Sequence, residues 1–196
     1  ASGSGGGGGQ TGGTVKFSIG ASSVGGGFYN GASSISTVVN SKLDGYEATV
    51  EVTGASANNA LLTQAGEIEM GMCATEVMYE AYNGLYDFEG QQACPDIRAV
   101  MPGWGGIYMF ITLASSGFES LYDIEGVAWS GGPVGSSNQI LMNRVLDVCG
   151  ISVDMSNLPN SDASRALGDG TIKGFTLAHP ASAVNELEAT NEVKIL

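Results

Sequence analysis

The sequence predicts an α/β fold, arranged in two lobes, whose parallel strands open at their C-terminal ends into Gly/Ser loops. Three stretches carry that reading. Residues 47–53 alternate Ala48, Val50 and Val52 against Glu47, Thr49 and Glu51, which is the period of a strand. They pass through Gly54-Ala55-Ser56 into the helical spacing of Ala60, Leu61, Leu62 and Ala65, which Gly66 stops. Residues 15–19 lead in the same way into the loop 20–27, and residues 127–130 into the loop 131–138 and the run Ile140, Leu141, Val145, Leu146. In open α/β sheets ligands bind outside the carboxyl ends of the strands. A helix N-terminus adds unpaired N–H groups and partial positive charge, which suit a carboxylate or phosphate. Ser56 or Asn58 stands at the cap position of the second helix, and a plain helix cap is the competing reading of Ser56.

Taken in order, the chain begins with the strand 15–19, the loop 20–27 and a helix holding Ile35, Val38 and Val39 that ends near Asp44-Gly45. The Gly25-Gly26-Gly27 loop lacks the spacing of either phosphate-binding glycine fingerprint. After the strand and helix already described, 68–73 reads as a short apolar strand and 75–84 as a helix with Thr75 at its cap and Gly84 at its stop. Tyr79 and Tyr82 on that helix pack inward or wall a pocket. Residues 85–95 form an acidic, irregular insertion, while 98–100 and 107–113 read as strands. A short helix and turn cover 115–126, and the strand–loop–helix pattern restarts at Val127. A strand at 155–158, a helix at 161–167, a strand at 172–177, a helix opened by Pro180 and a strand at 192–196 follow. The restart sets the division: a Gly-rich tether at 1–13, a first lobe at 14–113 and a second at 114–196.

Composition excludes several function classes. At 196 residues and 43% hydrophobic content the chain can bury a substantial core in one domain or two small lobes. A net charge of −13 with seven Lys plus Arg leaves no basic patch for nucleic acid. That charge suits solubility outside the cytoplasm or in a salty medium. No run of about 20 apolar residues is long enough to span a bilayer. The opening Ala1-Ser2-Gly3-Ser4 and its polyglycine tract read as a flexible tether, as in a mature exported protein held to a membrane, and a cloning linker has the same composition. Cys73, Cys94 and Cys149 match no metal spacing. Cys73 and Cys149 read as buried thiols, whereas Cys94 is an exposed thiol or a partner for Cys73. A triad would have to run through His179, the single histidine, and no G-x-S-x-G elbow accompanies it. Arg98 is a carboxylate clamp or, at a strand start, a structural residue.

These segments resemble the solute-binding receptors of TRAP transporters, in the branch called TAXI. The resemblance rests on Ile19-Gly20 through Gly25-Gly26 to Tyr29, on Thr53-Gly54-Ala55-Ser56 to Asn59, and on Glu76 through Tyr79 and Ala81-Tyr82 to Gly84. It continues through Asp123-Ile124-Glu125-Gly126, Gly132-Pro133-Val134-Gly135-Ser136, Gly168-Asp169-Gly170 and Pro180. This chain departs from the family pattern at Ala55, where a glycine is usual, at Asn58, where an acid is usual, and at Glu76, where the family has Asp. Gly27 and Asn30-Gly31 depart as well, replacing a hydroxyl residue and a Pro-containing turn. The resemblance implies a two-lobed, type II periplasmic-binding-protein-like fold that closes on a glutamate-, glutamine- or 2-oxoacid-like solute and passes it to a TRAP membrane subunit. Family receptors are longer, which implies an incomplete second lobe here.

The resulting expectation is a periplasmic or extracellular receptor, membrane-tethered as a lipoprotein, with no catalytic residue, metal or cofactor. A small α/β serine hydrolase or transferase is the alternative, and a surface adhesion module with a vestigial cleft is a third reading. The expected ligand contacts are Ser22, Ser23 and Tyr29 from the first loop, and Ser56 and Asn59 from the second. Thr75 and Glu76 open the third helix, and Ser136 and Ser137 come from the second lobe. Hydroxyls and amides would hold carboxylate oxygens, Glu76 an ammonium, and Tyr29 an apolar stem.

Overall fold

A computed structural model describes residues 13–90 and 93–196. Apart from Gly13, the tether read at residues 1–13 lies outside the described residues, as do residues 91 and 92 of the acidic insertion. Strand β1 (Val15–Gly20) lies between β2 (Tyr46–Glu51) and β3 (Met70–Gly71), parallel to both. Helix α1 (Gly27–Lys42) follows β1, α2 (Ser56–Ala65) follows β2 and α3 (Thr75–Asn83) follows β3. On α1, Ala32, Ile35 and Val39 recur at helical spacing and pack over Ile19, Ala21 and Ala48 of the sheet. Helices α2 and α3 end at Gly66 and Gly84 in the left-handed conformation, so these glycines stop the helices as their positions predict.

The second sheet holds β4 (Ile107–Leu113), β5 (Ala128–Ser130), β6 (Asp154–Ser156), β7 (Gly174–His179) and β8 (Val193–Ile195), in the order β6-β5-β7-β4-β8. Strand β5 runs parallel to β6 and β7, whereas β4 is antiparallel to β7 and β8. Helices α4 (Ser137–Cys149), α5 (Asn160–Gly168) and α6 (Ser182–Glu188) cover it. Alternation along β7 divides the two faces. Phe175 and Leu177 join Ala163 and Leu167 of α5 and Val184 and Leu187 of α6. Thr176 turns the other way and accepts a 3.1 Å hydrogen bond from Trp129 Nε1, beneath Met142 and Leu146 of α4.

Val50 and Trp129 thus lie in different sheets, as two lobes require. The division expected after residue 113 does not follow the sheets, however. Strand β4 pairs with β7 from Ile107↔His179 to Ile111↔Phe175, so the crossing falls in the exposed stretch 98–106. An apolar run reads alike in either sheet, and a pairing more than 60 residues distant in sequence decides where it goes. Residues 98–100 form no strand. Helix α6 begins at Ser182, after Pro180 rather than with it. Tyr79 and Tyr82 are exposed, so neither packs inward. Cys94 is fully buried against Ala81, Val77 and Phe88, where burial pushes its thiol pKa up, and all three cysteines are free. The guanidinium of Arg98 donates to the carbonyls of Pro95 and Ile97, which is a structural use.

The residue that caps α2 is Ala55, not Ser56 or Asn58. It sits at φ 68°, ψ −143°, a region essentially restricted to glycine. Its departure from the glycine of the resembling family therefore stores strain. The strain costs about 1–3 kcal/mol, offset by roughly 0.8 kcal/mol for a buried methyl and about 0.4–1 kcal/mol of glycine's extra chain entropy. Ala55→Gly is expected to stabilise by about 0.5 kcal/mol, raising Tm by about 1–2 °C in thermal unfolding. A lowered Tm would show that the methyl contact outweighs the strain.

Candidate functional site

Both lobes present the C-terminal ends of their parallel strands to one seam. From the first lobe come the loops after β1, β2 and β3. From the second come the loops after β5, β6 and β7 and the start of antiparallel β4. Direct bonds cross this seam. The Asn160 amide at the start of α5 donates to Ser23 Oγ at 3.0 Å, and Ser161 Oγ to the Val24 carbonyl at 3.1 Å. The Ala183 amide donates to the Gly25 carbonyl at 3.2 Å. On the opposite flank, the Ala57 amide in the first turn of α2 donates to the Gly135 carbonyl at 3.2 Å. The helix N-terminus that the sequence marks for an anion thus meets a carbonyl dipole from the facing loop.

Between these flanks Tyr108 of β4 donates from its hydroxyl to Glu76 Oε1 of α3 at 2.9 Å. Burial pushes the Tyr108 pKa up to about 12; Ser137 beside it pulls the other way, and the Glu76 carboxylate adds to the rise. Tyr108 therefore stays protonated at neutral pH and acts as a hydrogen-bond donor, oriented on a carboxylate that a ligand amine would compete for. Burial also pushes Cys73 up to about 12, so this thiol, held on the Ser56 and Ala74 carbonyls, is not a nucleophile at neutral pH.

Of the expected contacts, Ser22, Ser23, Ser136 and Ser137 are buried at the seam, and Glu76 is half-buried there. Ser22 Oγ donates to the Ser23 carbonyl at 3.2 Å, while Ser136 caps α4 by accepting from the Gln139 amide at 3.3 Å. Ser56 is fully buried, and its hydroxyl accepts from the Ala74 amide at 3.0 Å, which ties α2 to the loop after β3. Asn59 is a knot within the first lobe. Its Nδ2 donates to the carbonyls of Gly20, Ala21 and Met72, and its Oδ1 accepts from Thr53 Oγ1 at 2.7 Å. Tyr29 packs against the β1–α1 cluster, and Thr75 is exposed at the start of α3. His179 lies exposed at the end of β7.

Sequence reasoning missed Tyr108, Asn138 and Asn160. Tyr108 is the one residue with a polar tip and an aromatic ring in the run 107–113, a signal that the run's strand character hides. Asn138 Oδ1 accepts from the Ala178 amide at 3.1 Å, binding the loop after β5 to β7. Asn160 follows Pro159 directly, and that proline at a helix start was the available clue.

The chain belongs to the NMT1-like family, whose family model matches residues 19–196. Among solved structures it is similar to an ancestral arginine-binding protein bound to arginine, at 16% identity and a TM-score of 0.63, over 92% of this chain and 78% of that one. It is similar to the alkanesulfonate-binding protein SsuA from Xanthomonas axonopodis pv. citri bound to MOPS, at 15% identity and a TM-score of 0.60, over 94% of this chain and 61% of that one. A third similarity is to a structure concerning glutathione import through GshT and the cystine ABC importer TcyBC of Streptococcus mutans, at 12% identity and a TM-score of 0.63, over 93% and 75%. The fold is therefore the mixed α/β fold of periplasmic solute-binding proteins.

Proposed function

We propose that this member of the NMT1-like family is an extracytoplasmic receptor that binds a small carboxylate or amino acid between its lobes and delivers it to a membrane transporter. One observation carries the reading. The C-terminal strand ends of two separate sheets converge on one seam of buried hydroxyls and amides, and Glu76 and Tyr108 meet across its centre at 2.9 Å. Ser22, Ser136 and Ser137 are the proposed hydroxyl contacts, with Glu76 taking an ammonium. Ser23, Ser56 and Asn59 hold the loops that present them. The narrower proposal, a TAXI receptor working with a TRAP membrane subunit and tethered as a lipoprotein, rests on the segments from Thr53 to Gly84 and on the Gly132–Ser136 loop. The solved relatives that bind arginine or sulfonates support the broader solute class.

The test is a thermal-shift panel of amino acids, dicarboxylates, 2-oxoacids and sulfonates, followed by calorimetry on any hit. A true solute at 100 times its Kd is expected to stabilise the protein by about 2.7 kcal/mol. Recovery of the solute unchanged is also expected. Conversion to product, abolished by His179→Ala, would replace this reading with the hydrolase or transferase alternative. Silence across the whole panel would favour an adhesion module.

A further inference from the structure

We propose that the Glu80–Arg144 ion pair is an inter-lobe latch, a positioning pair that holds the first turn of α2 on the Gly135 loop and sets how readily the seam opens. Its partners stand on different lobes, Glu80 on α3 and Arg144 on α4. The contact is bidentate, at 2.7 Å to Oε1 and 2.8 Å to Oε2. Glu80 is 5% exposed whereas the Arg144 side chain is 35% exposed, so the carboxylate is the desolvated member of the pair. The guanidinium lies 4.9 Å from the Tyr86 ring centre and 3.8 Å from Asp87, which adds two further contacts from the first lobe. One helical turn earlier, Ile140 on the same face of α4 is buried among Ala60, Val77, Ala81 and Phe88 of the first lobe.

Two features separate a latch from ordinary core packing. First, a cavity of about 450 Å³, lined by Ala57, Leu61, Phe88, Gly135, Asn143 and Arg144 among others, lies along this flank. Beside the Ile140 contact, the lobes leave this space open and meet across it through directed contacts. Second, among the described residues the ion pairs that join the lobes are those of Arg144, whereas Lys16–Glu47, Arg165–Asp162 and Lys194–Glu119 each lie within one lobe. The opposite flank is joined by neutral hydroxyls and amides. When the seam opens both charges return to water; when Arg144 is removed, the closed state alone retains the desolvated Glu80 carboxylate without its partner. Losing Arg144 therefore favours opening.

The Ala57 amide reports this directly, because its acceptor, the Gly135 carbonyl, lies on the other lobe. Amide hydrogen exchange is measured by NMR on the full chain at Ala57 and at Ile19 and Phe175, which lie inside the two sheet ladders. In Arg144→Gln, which strands the buried Glu80 carboxylate, the Ala57 amide is expected to exchange about 30-fold faster, with Ile19 and Phe175 unchanged. Arg144→Lys, which keeps the charge but loses the fork, is expected to give a smaller rise confined to the same site. Unchanged exchange at Ala57 in both variants would overturn the latch. Equal acceleration at all three amides, or failure of both variants to fold, would overturn it too, because the pair would then support the fold as a whole. The readout contains no solute, so it stands apart from the outcome of the receptor test.

Discussion

Asn59→Asp is expected to destabilise the protein by about 4 kcal/mol at pH 7. The two side chains have nearly the same shape, so no cavity enters the comparison. What changes is that the amide Nδ2, which donates to the carbonyls of Gly20, Ala21 and Met72, becomes a carboxylate oxygen facing three acceptors. Asn59 is 1% exposed, so no water relieves the repulsion. The Gly20 carbonyl keeps a bond from the Met72 amide, which limits the loss. The pH dependence follows from the sign of the shift. Burial beside carbonyls raises the pKa of the new carboxyl above its unfolded value. The variant is therefore penalised least below that unfolded value, near pH 4, and most once the pH has risen through the folded pKa. Urea midpoints for both proteins at pH 4.5 and pH 7 should show the gap widening with pH. A variant within 1 kcal/mol of the parent at pH 7, but with weakened solute affinity, would return Asn59 to the ligand-facing set.

Gly174→Ala is expected to cost about 3 kcal/mol, at the upper end for an overpacked core. The backbone there is ordinary, and the obstacle is space. A Cβ at Gly174 would fall on the six-membered ring of Trp129 and within 2.5 Å of the Ile111 carbonyl. Both neighbours are fully buried, and the Trp129 indole is further fixed by its bond to Thr176. Strand β7 joins the parallel pair β5–β6 to antiparallel β4, so the conflict falls at the centre of the second sheet. Chemical denaturation of Gly174→Ala, Trp129→Leu and the double variant checks the cause. Steric conflict predicts that the double variant is more stable than the sum of the two single losses implies, by about 1 kcal/mol or more. Additive losses would place the cost in the backbone instead.

Much of the first lobe is legible in local pattern. The alternation of Ala48 and Val50 gives β2, and Ile35 and Val39 mark the buried face of α1, although Val52 lies past the strand and Val38, read with them, is exposed. Gly66, Gly84 and Gly150 mark helix ends because left-handed backbone is cheap there for glycine alone. Each depends on residues within a turn or two of one another. The site was legible as a set of loops but not as a set of roles. Ser56 and Asn59 look like ligand groups because hydroxyls and amides at a loop serve a solute or a neighbouring carbonyl equally well. Cys94 sits in a polar stretch yet is enclosed by α3 and Phe88, which approach it only once the chain has folded.

The sequence alone determined the α/β class, the strand–loop–helix units, the acidic charge balance, and the loops at which a ligand would be sought. All of these follow from periodicity, glycine placement and charge count, which are local or additive. The tertiary structure decided that β4 belongs with β7, that Tyr108 faces Glu76, that Gly135 meets the start of α2, and that Arg144 finds Glu80. In each case the partners lie 32 to 78 residues apart in the chain, and no local preference distinguishes the true partner from the many other groups that could satisfy the same strand edge, hydroxyl or charge. Only the assembled tertiary structure, which completes the second sheet and brings the two lobes together at the seam, selects it.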